Sequence, residues 1–108
     1  MSWDVSMVID TGGEEPATVA DCGNYTYNVA DMYYLAMPSG GLCGLDGLSG
    51  EAALPVINGG LKYMTENANE LRKLNPKNGW GSYDGAVKFL TGIRDACVLH
   101  PKAIVEVR

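Results

Sequence analysis

Between Ser2 and Asp10 the apolar residues Trp3, Val5, Met7 and Ile9 alternate with Ser2, Asp4, Ser6 and Asp10, and only Val8 interrupts them. A period of two puts the apolar set on one face of a half-buried strand. Thr11-Gly12-Gly13-Glu14-Glu15-Pro16 supplies turn residues, and Ala17 to Ala20 returns as a second strand, so the chain is expected to open with a hairpin. At the other end Ala103-Ile104-Val105-Glu106-Val107 is short and rich in β-branched residues. Pro101 just before it stops any preceding helix, which predicts a third strand.

Between the strands the spacing changes to that of helices. Asn28 stands where it can cap a first helix, Val29 to Met37, which Pro38-Ser39-Gly40-Gly41 ends. Ser49 can cap a second, with Glu51 in its first turn and an apolar stripe of Leu54, Ile57, Leu61 and Met64. Pro55 and the pair Gly59-Gly60 predict a kink or break there, and a short helical turn from Asn69 to Leu74 extends it. The third and clearest helix runs from Tyr83 to Leu99 behind Ser82, with Ala86, Leu90, Ile93 and Cys97 on one face and Val87 and Phe89 beside them. Lys88, Arg94 and Asp95 fall elsewhere. Leu42, Leu45 and Leu48, with Gly44 and Gly47, form a local three-residue pattern in a loop rather than a repeat.

Two strands alone are marginal, so the simplest arrangement pairs the terminal strand with the hairpin. The expected fold is α+β: a small three-stranded antiparallel sheet, the N-terminal hairpin plus the C-terminal strand, covered on one face by about three helices. Neither a linker nor a composition shift divides the chain, so residues 1–108 form one domain, a size that buries a core of its own.

Composition narrows the partners. Thirteen acidic against eight basic residues give a formal net charge of −5, which opposes direct binding to a phosphate backbone. No apolar run approaches the roughly 20 residues that span a bilayer. Met1-Ser2-Trp3-Asp4 lacks the basic start and apolar run of a signal peptide, so the expected location is the cytoplasm. Cys22, Cys43 and Cys97 are odd in number and widely spaced, which suits reduced thiols. Cys97 and His100 form one C-x-x-H pair that Cys22 and Cys43 would have to complete as a zinc site; Cys97 lies on the apolar helix face, and no metal or cofactor is expected.

Two segments carry candidate binding chemistry. Asn75-Pro76-Lys77-Asn78-Gly79-Trp80-Gly81-Ser82-Tyr83 combines amides, an indole able to stack and flexible glycines just before a helix N-terminus, where unpaired N–H groups attract anions. The same residues also suit a structured helix connection in which Trp80 plugs the core and the asparagines satisfy loop backbone. Asn24-Tyr25-Thr26-Tyr27-Asn28 is a second polar and aromatic cluster, read either as a loop or short strand leading into a capped helix, or as a surface converging with the Trp80 segment on one pocket. The candidate binding residues are therefore Asn24, Tyr25, Thr26, Tyr27, Asn28, Asn75, Asn78, Trp80 and Tyr83. Asp4, Asp10, Glu14, Glu15 and Asp21 give the hairpin an acidic bias, which serves solubility or imitates phosphates toward the basic groove of another protein. A single His, no G-x-S-x-G elbow and no H-E-x-x-H motif favour a protein without catalytic activity.

The segments Asn24–Val29, Leu42–Leu48, Asn75–Tyr83 and Ala96–Pro101 together resemble small uncharacterised proteins encoded by bacteriophages and prophages, with Asn-Gly-Trp-Gly the most specific part. Cys43 departs from that likeness, which implies a polar or basic residue in its loop. The resemblance implies a setting in an infected or lysogenic bacterium and no catalytic residues. Small acidic proteins in that setting act by binding, which makes an anti-CRISPR-like antagonist of a host defence protein or complex the first expectation. A sponge that sequesters a nucleotide-like signalling molecule is the alternative, and a structural or virion-associated role a third. An exposed sheet edge or the tyrosine-rich helix also offers a surface for a homo-oligomer.

Overall fold

A computed structural model describes all residues from Met1 to Arg108. Its strands are β1 (Ser2–Ile9), β2 (Ala17–Thr26) and β3 (Ile104–Val107), and its helices α1 (Ala30–Ala36), α2 (Gly50–Glu66), α3 (Ala68–Arg72) and α4 (Tyr83–Leu99). Both sheet pairings are antiparallel and the order is β2-β1-β3, so the α+β fold and the hairpin joined by the terminal strand are as the apolar pattern predicts.

The alternation in β1 sends Trp3, Val5 and Met7 into the core, each 5% exposed or less. They meet Ala86, Leu90, Ile93 and Cys97 from the predicted stripe of α4, with Ala53, Ile57 and Met64 of α2 and Met32 and Tyr33 of α1 completing the cluster. Fully burying one such side chain is worth about 1.5–3 kcal/mol. The Tyr33 hydroxyl, also buried, donates to the Ala86 carbonyl at 2.7 Å, which satisfies its only polar atom and ties α1 to α4. Leu42 and Leu45 point inward from a 3-10 turn over Gly41–Leu45, which is the physical meaning of their three-residue spacing. No helix is long and apolar enough to cross a membrane.

Several boundaries differ from the sequence reading. β2 continues past Ala20 to Thr26, so Asn24, Tyr25 and Thr26 belong to a strand. Asp4 pairs with Asn24 but Ser6 with Asp21, and Met7 with Ala20 but Val8 with Thr18. These two bulges each insert an extra residue in β2 and break the period of two that would have revealed it. Gly23, at φ 81°, takes the left-handed conformation that the first of them uses.

The cap expected of Asn28 falls to Thr26, whose hydroxyl accepts from the Asn28 N–H at 3.2 Å and opens a 3-10 turn over Tyr27–Val29 ahead of α1. α2 does not break: Pro55 lies on its exposed side, where water reaches the carbonyl left without a helix partner, and Gly60 makes room for Met37. α2 ends instead at Asn67, whose side-chain amide donates to the Tyr63 carbonyl at 2.9 Å, so α3 is a separate helix. Ser49 and Ser82 cap α2 and α4 as expected, accepting from the N–H groups of Ala52 and Gly85.

All the helices lie on one side of the sheet. The other face carries Asp4, Ser6, Asp21, Asn24 and Glu106, by the pairing of Asp4 with Asn24 and of Ser6 with Asp21 and Glu106. The outer edge of β3 is closed by Gly47 and Leu48, which exchange backbone hydrogen bonds with Val105 at 2.8 Å, and by Asp46, whose carboxylate accepts from the Val107 N–H.

Two measurements test this core. Leu90→Ala should cost about 2–5 kcal/mol of unfolding free energy and Tyr33→Phe about 1 kcal/mol, read from chemical denaturation. Burial, with a smaller contribution from Cys22, pushes the Cys97 thiol up to about 11 from the ordinary 9.0. The folded state then keeps a proton that the unfolded state releases. Its contribution is intact below pH 9.0 and is lost toward about pH 11, at about 1.4 kcal/mol per pH unit. Cys97→Ala should flatten that part of the alkaline decline in stability.

Candidate functional site

The end of β2 and the α3–α4 connection come together. The Tyr25 hydroxyl accepts from the Ser82 N–H at 3.0 Å, and the Asn28 side-chain amide donates to the Trp80 carbonyl at 3.3 Å. The Tyr25 ring lies against Phe89 of α4, centroids 5.6 Å apart and planes 29° from parallel. Glycines permit the approach: Gly81, at φ 95°, turns the chain over Thr26 and Val29, and a Cβ at Gly85 would overlap the Tyr25 hydroxyl. The two segments thus enclose a shallow cavity of about 330 Å³ lined by Met1, Ser2, Asn24, Tyr25, Thr26, Trp80 and Gly81.

Within this arrangement the predicted residues separate by role. Trp80 does not plug the core; it is 71% exposed and stands over the cavity. Asn24 is exposed beside it, on the outer face of the sheet. Thr26 spends its hydroxyl on the turn, and Tyr27 is half-buried against Trp3 with ring centroids 4.7 Å apart. Asn75 accepts from the Tyr83 N–H at 2.8 Å and Asn78 from the Trp80 N–H at 2.9 Å, so both amides brace the loop. Tyr83 is buried, donates to the Met64 carbonyl at 2.8 Å and carries the Arg72 guanidinium 4.7 Å above its ring. Asn24, Tyr25, Thr26 and Trp80 therefore line the site, Asn28 buttresses it, and Tyr27, Asn75, Asn78 and Tyr83 hold the surrounding structure.

The helix start behind Trp80 is already occupied by the chain itself. The N–H groups of Ser82, Tyr83 and Gly85 go to Tyr25, Asn75 and Ser82 respectively, and Asp84 places a carboxylate in the first turn. A phosphate there would meet few free donors and a like charge. Neither Lys nor Arg lines the cavity.

The acidic residues also divide. Asp4 and Asp21 lie on the outer sheet face, and Asp10, Glu14 and Glu15 lie in or beside the hairpin turn. Asp10 and Asp21 each accept from a backbone N–H two residues on, those of Gly12 and Gly23, at 2.8 Å. Glu106, paired with Arg108 at 2.6 Å, joins the same face opposite Ser6. It was not among the candidates, although its place between Val105 and Val107 puts it on the polar side of β3 by alternation. The result is a polar sheet face with a carboxylate on each strand, that of Glu106 paired with Arg108, which lies opposite Asp4, and it ends at an exposed indole.

The cysteines stay apart from it. Cys97 is buried, Cys43 exposed and Cys22 half-buried, its thiol pushed up by burial and then by Asp21. Among Cys22, Cys43, Cys97 and His100, and elsewhere, no three His, Cys, Asp or Glu side chains gather as a metal would need.

Because Trp3 is buried and Trp80 exposed, Trp80→Phe should shift tryptophan emission to shorter wavelength and remove most quenching by iodide, with the fold unchanged by circular dichroism. Comparison with family models, with curated proteins and with solved structures finds no match, so the chemistry of this surface stands on the residues that form it.

Proposed function

We propose that this protein is a non-catalytic binding module that docks a basic surface of another protein on its open sheet face, with Trp80 as the anchor. The observation that carries this reading is the exposed indole at the end of an uncovered face bearing Asp4, Asp21 and Glu106. Tryptophan is the side chain most enriched among residues that dominate binding energy, and surrounding charges set orientation and encounter rate. Carboxylates on paired strands and an indole on a loop braced by Asn28 and Asn78 also lose less conformational freedom on binding than unsupported side chains would.

In the phage setting that the sequence resemblance implies, the partner is a host defence protein whose basic surface ordinarily receives nucleic acid, and the location is the host cytoplasm. Inhibition then needs only occupancy, because carboxylates set side by side across the three strands repel nucleic acid while matching the Lys and Arg that bind it. Sequestration of a nucleotide has less to support it, since the helix start is filled and the cavity offers no cation.

Capture from a bacterial lysate, identification by mass spectrometry and titration of the purified partner test the proposal. Affinity should fall as salt rises. Trp80→Ala should weaken binding by about 2 kcal/mol, roughly thirtyfold, and Asp4→Lys should slow association, each without loss of thermal stability. Recovery of no partner at any ionic strength, or a partner indifferent to both changes, would sink it.

A further inference from the structure

The sheet order leaves β2 a neighbour on one side only, so the backbone N–H and C=O groups along its other side meet no strand. α4 runs beneath that edge with α2 on its far side. Between β2 and α4 lies a groove of about 280 Å³ lined by Cys22, Tyr25, Gly85, Lys88, Phe89 and Gly92. The stacked rings of Tyr25 and Phe89 make its floor apolar, and the bulge after Asp21 turns Cys22 in beside them.

Two features of the helix wall point to an occupant. Gly85 is required by the Tyr25 hydroxyl, but a Cβ at Gly92 would meet nothing within 4 Å. A glycine in mid-helix is destabilising relative to alanine, and packing requires neither this one nor Gly59 of α2; at Gly92 the missing side chain leaves the groove open. Lys88 lies between the two glycines on the same helix face. Of the eight Lys and Arg residues, Lys62, Arg72, Lys73, Arg94, Lys102 and Arg108 each pair with a carboxylate, which leaves Lys77 and Lys88. In a chain with thirteen acidic residues, an unpaired cation at the rim of an apolar groove is complementary to an acidic ligand.

We propose that this groove takes an extended peptide segment of a partner protein, which adds as a strand to the free edge of β2. It seats an apolar side chain on Tyr25 and Phe89 and brings a carboxylate to Lys88. Main-chain hydrogen bonds to β2 supply affinity, and the groove and Lys88 supply selectivity. Both recognised side chains point toward α4, so they stand two residues apart in the peptide. The groove opens on the flank and shares only Tyr25 with the cavity beside Trp80, and this assignment does not rest on the outer-face reading.

The test is selection of random linear peptides, by display, against the whole immobilised chain, followed by fluorescence polarisation with the synthetic consensus peptide. Enriched sequences should share an apolar residue with Asp or Glu two positions away. Lys88→Glu should weaken the consensus peptide about tenfold by exchanging attraction for repulsion. Gly92→Leu should abolish binding while leaving the thermal midpoint unchanged or higher, because it fills the groove without touching the core. Absence of any enriched pattern overturns the proposal, as does equal binding by both variants. Self-association of the chain that Gly92→Leu reverses would also overturn it, by showing that the occupant is a second copy.

Discussion

The chain has enough helix to cover one face of its sheet, and the rest of the molecule follows from which face that is. Trp3, Val5 and Met7 on one side of β1 are buried under α4 and α2, so their alternates, Asp4 and Ser6, face away from the helices. A polar outer face is the necessary counterpart of a one-sided core in a small antiparallel sheet. What is particular to this chain is that each strand sets one carboxylate on that face, Asp4 on β1, Asp21 on β2 and Glu106 on β3.

α4 is the element through which the candidate surface is tied to that core. Its inner stripe packs on the sheet, while its cap residue Ser82 and Phe89 of its second turn hold Tyr25. The loop before it is braced at Asn75 and Asn78, and Asn28 pins it to the segment after β2. Trp80 is consequently exposed but carried on a backbone held at several points. An exposed indole costs hydrophobic free energy in the unbound molecule, and bracing it reduces the ordering needed when a partner covers it.

The parts of this arrangement that were legible in the sequence are those where one periodicity runs unbroken. β1 and the stripe of α4 could be read because their apolar residues keep spacings of two and of three or four, and Ser49 and Ser82 because a cap's chemistry is local. The sequence reading shortened β2 because its two bulges destroy the alternation, and Gly23 looks like a turn. Asn28 does not cap, because Thr26 opens a 3-10 turn one residue before it and its own side-chain amide goes to the Trp80 carbonyl. The convergence of the Asn24 and Trp80 segments was open to the sequence only as an alternative, since it depends on a Tyr25–Ser82 contact across 57 residues. The division of roles among the asparagines was hidden for the same reason: an amide that braces a turn and one that meets a ligand have identical chemistry.

The irregularity of β2 joins these observations. An extra residue after Asp21 lets Asp21 and Asn24 share the outer face although they are three apart, while Cys22 turns inward toward Phe89. Without the bulge, strict alternation would put Asn24 on the opposite side from Asp21 and break the polar surface that leads to Trp80. The bulge costs ladder hydrogen bonds and requires a left-handed glycine, and what it turns inward is both Cys22 and Tyr25, which pack against the core. It also shapes the two surfaces proposed above as binding sites, the outer face above β2 and the apolar groove along its edge. Departures from local regularity concentrate at functional or strained sites, and here a single departure shapes both of the surfaces proposed for binding.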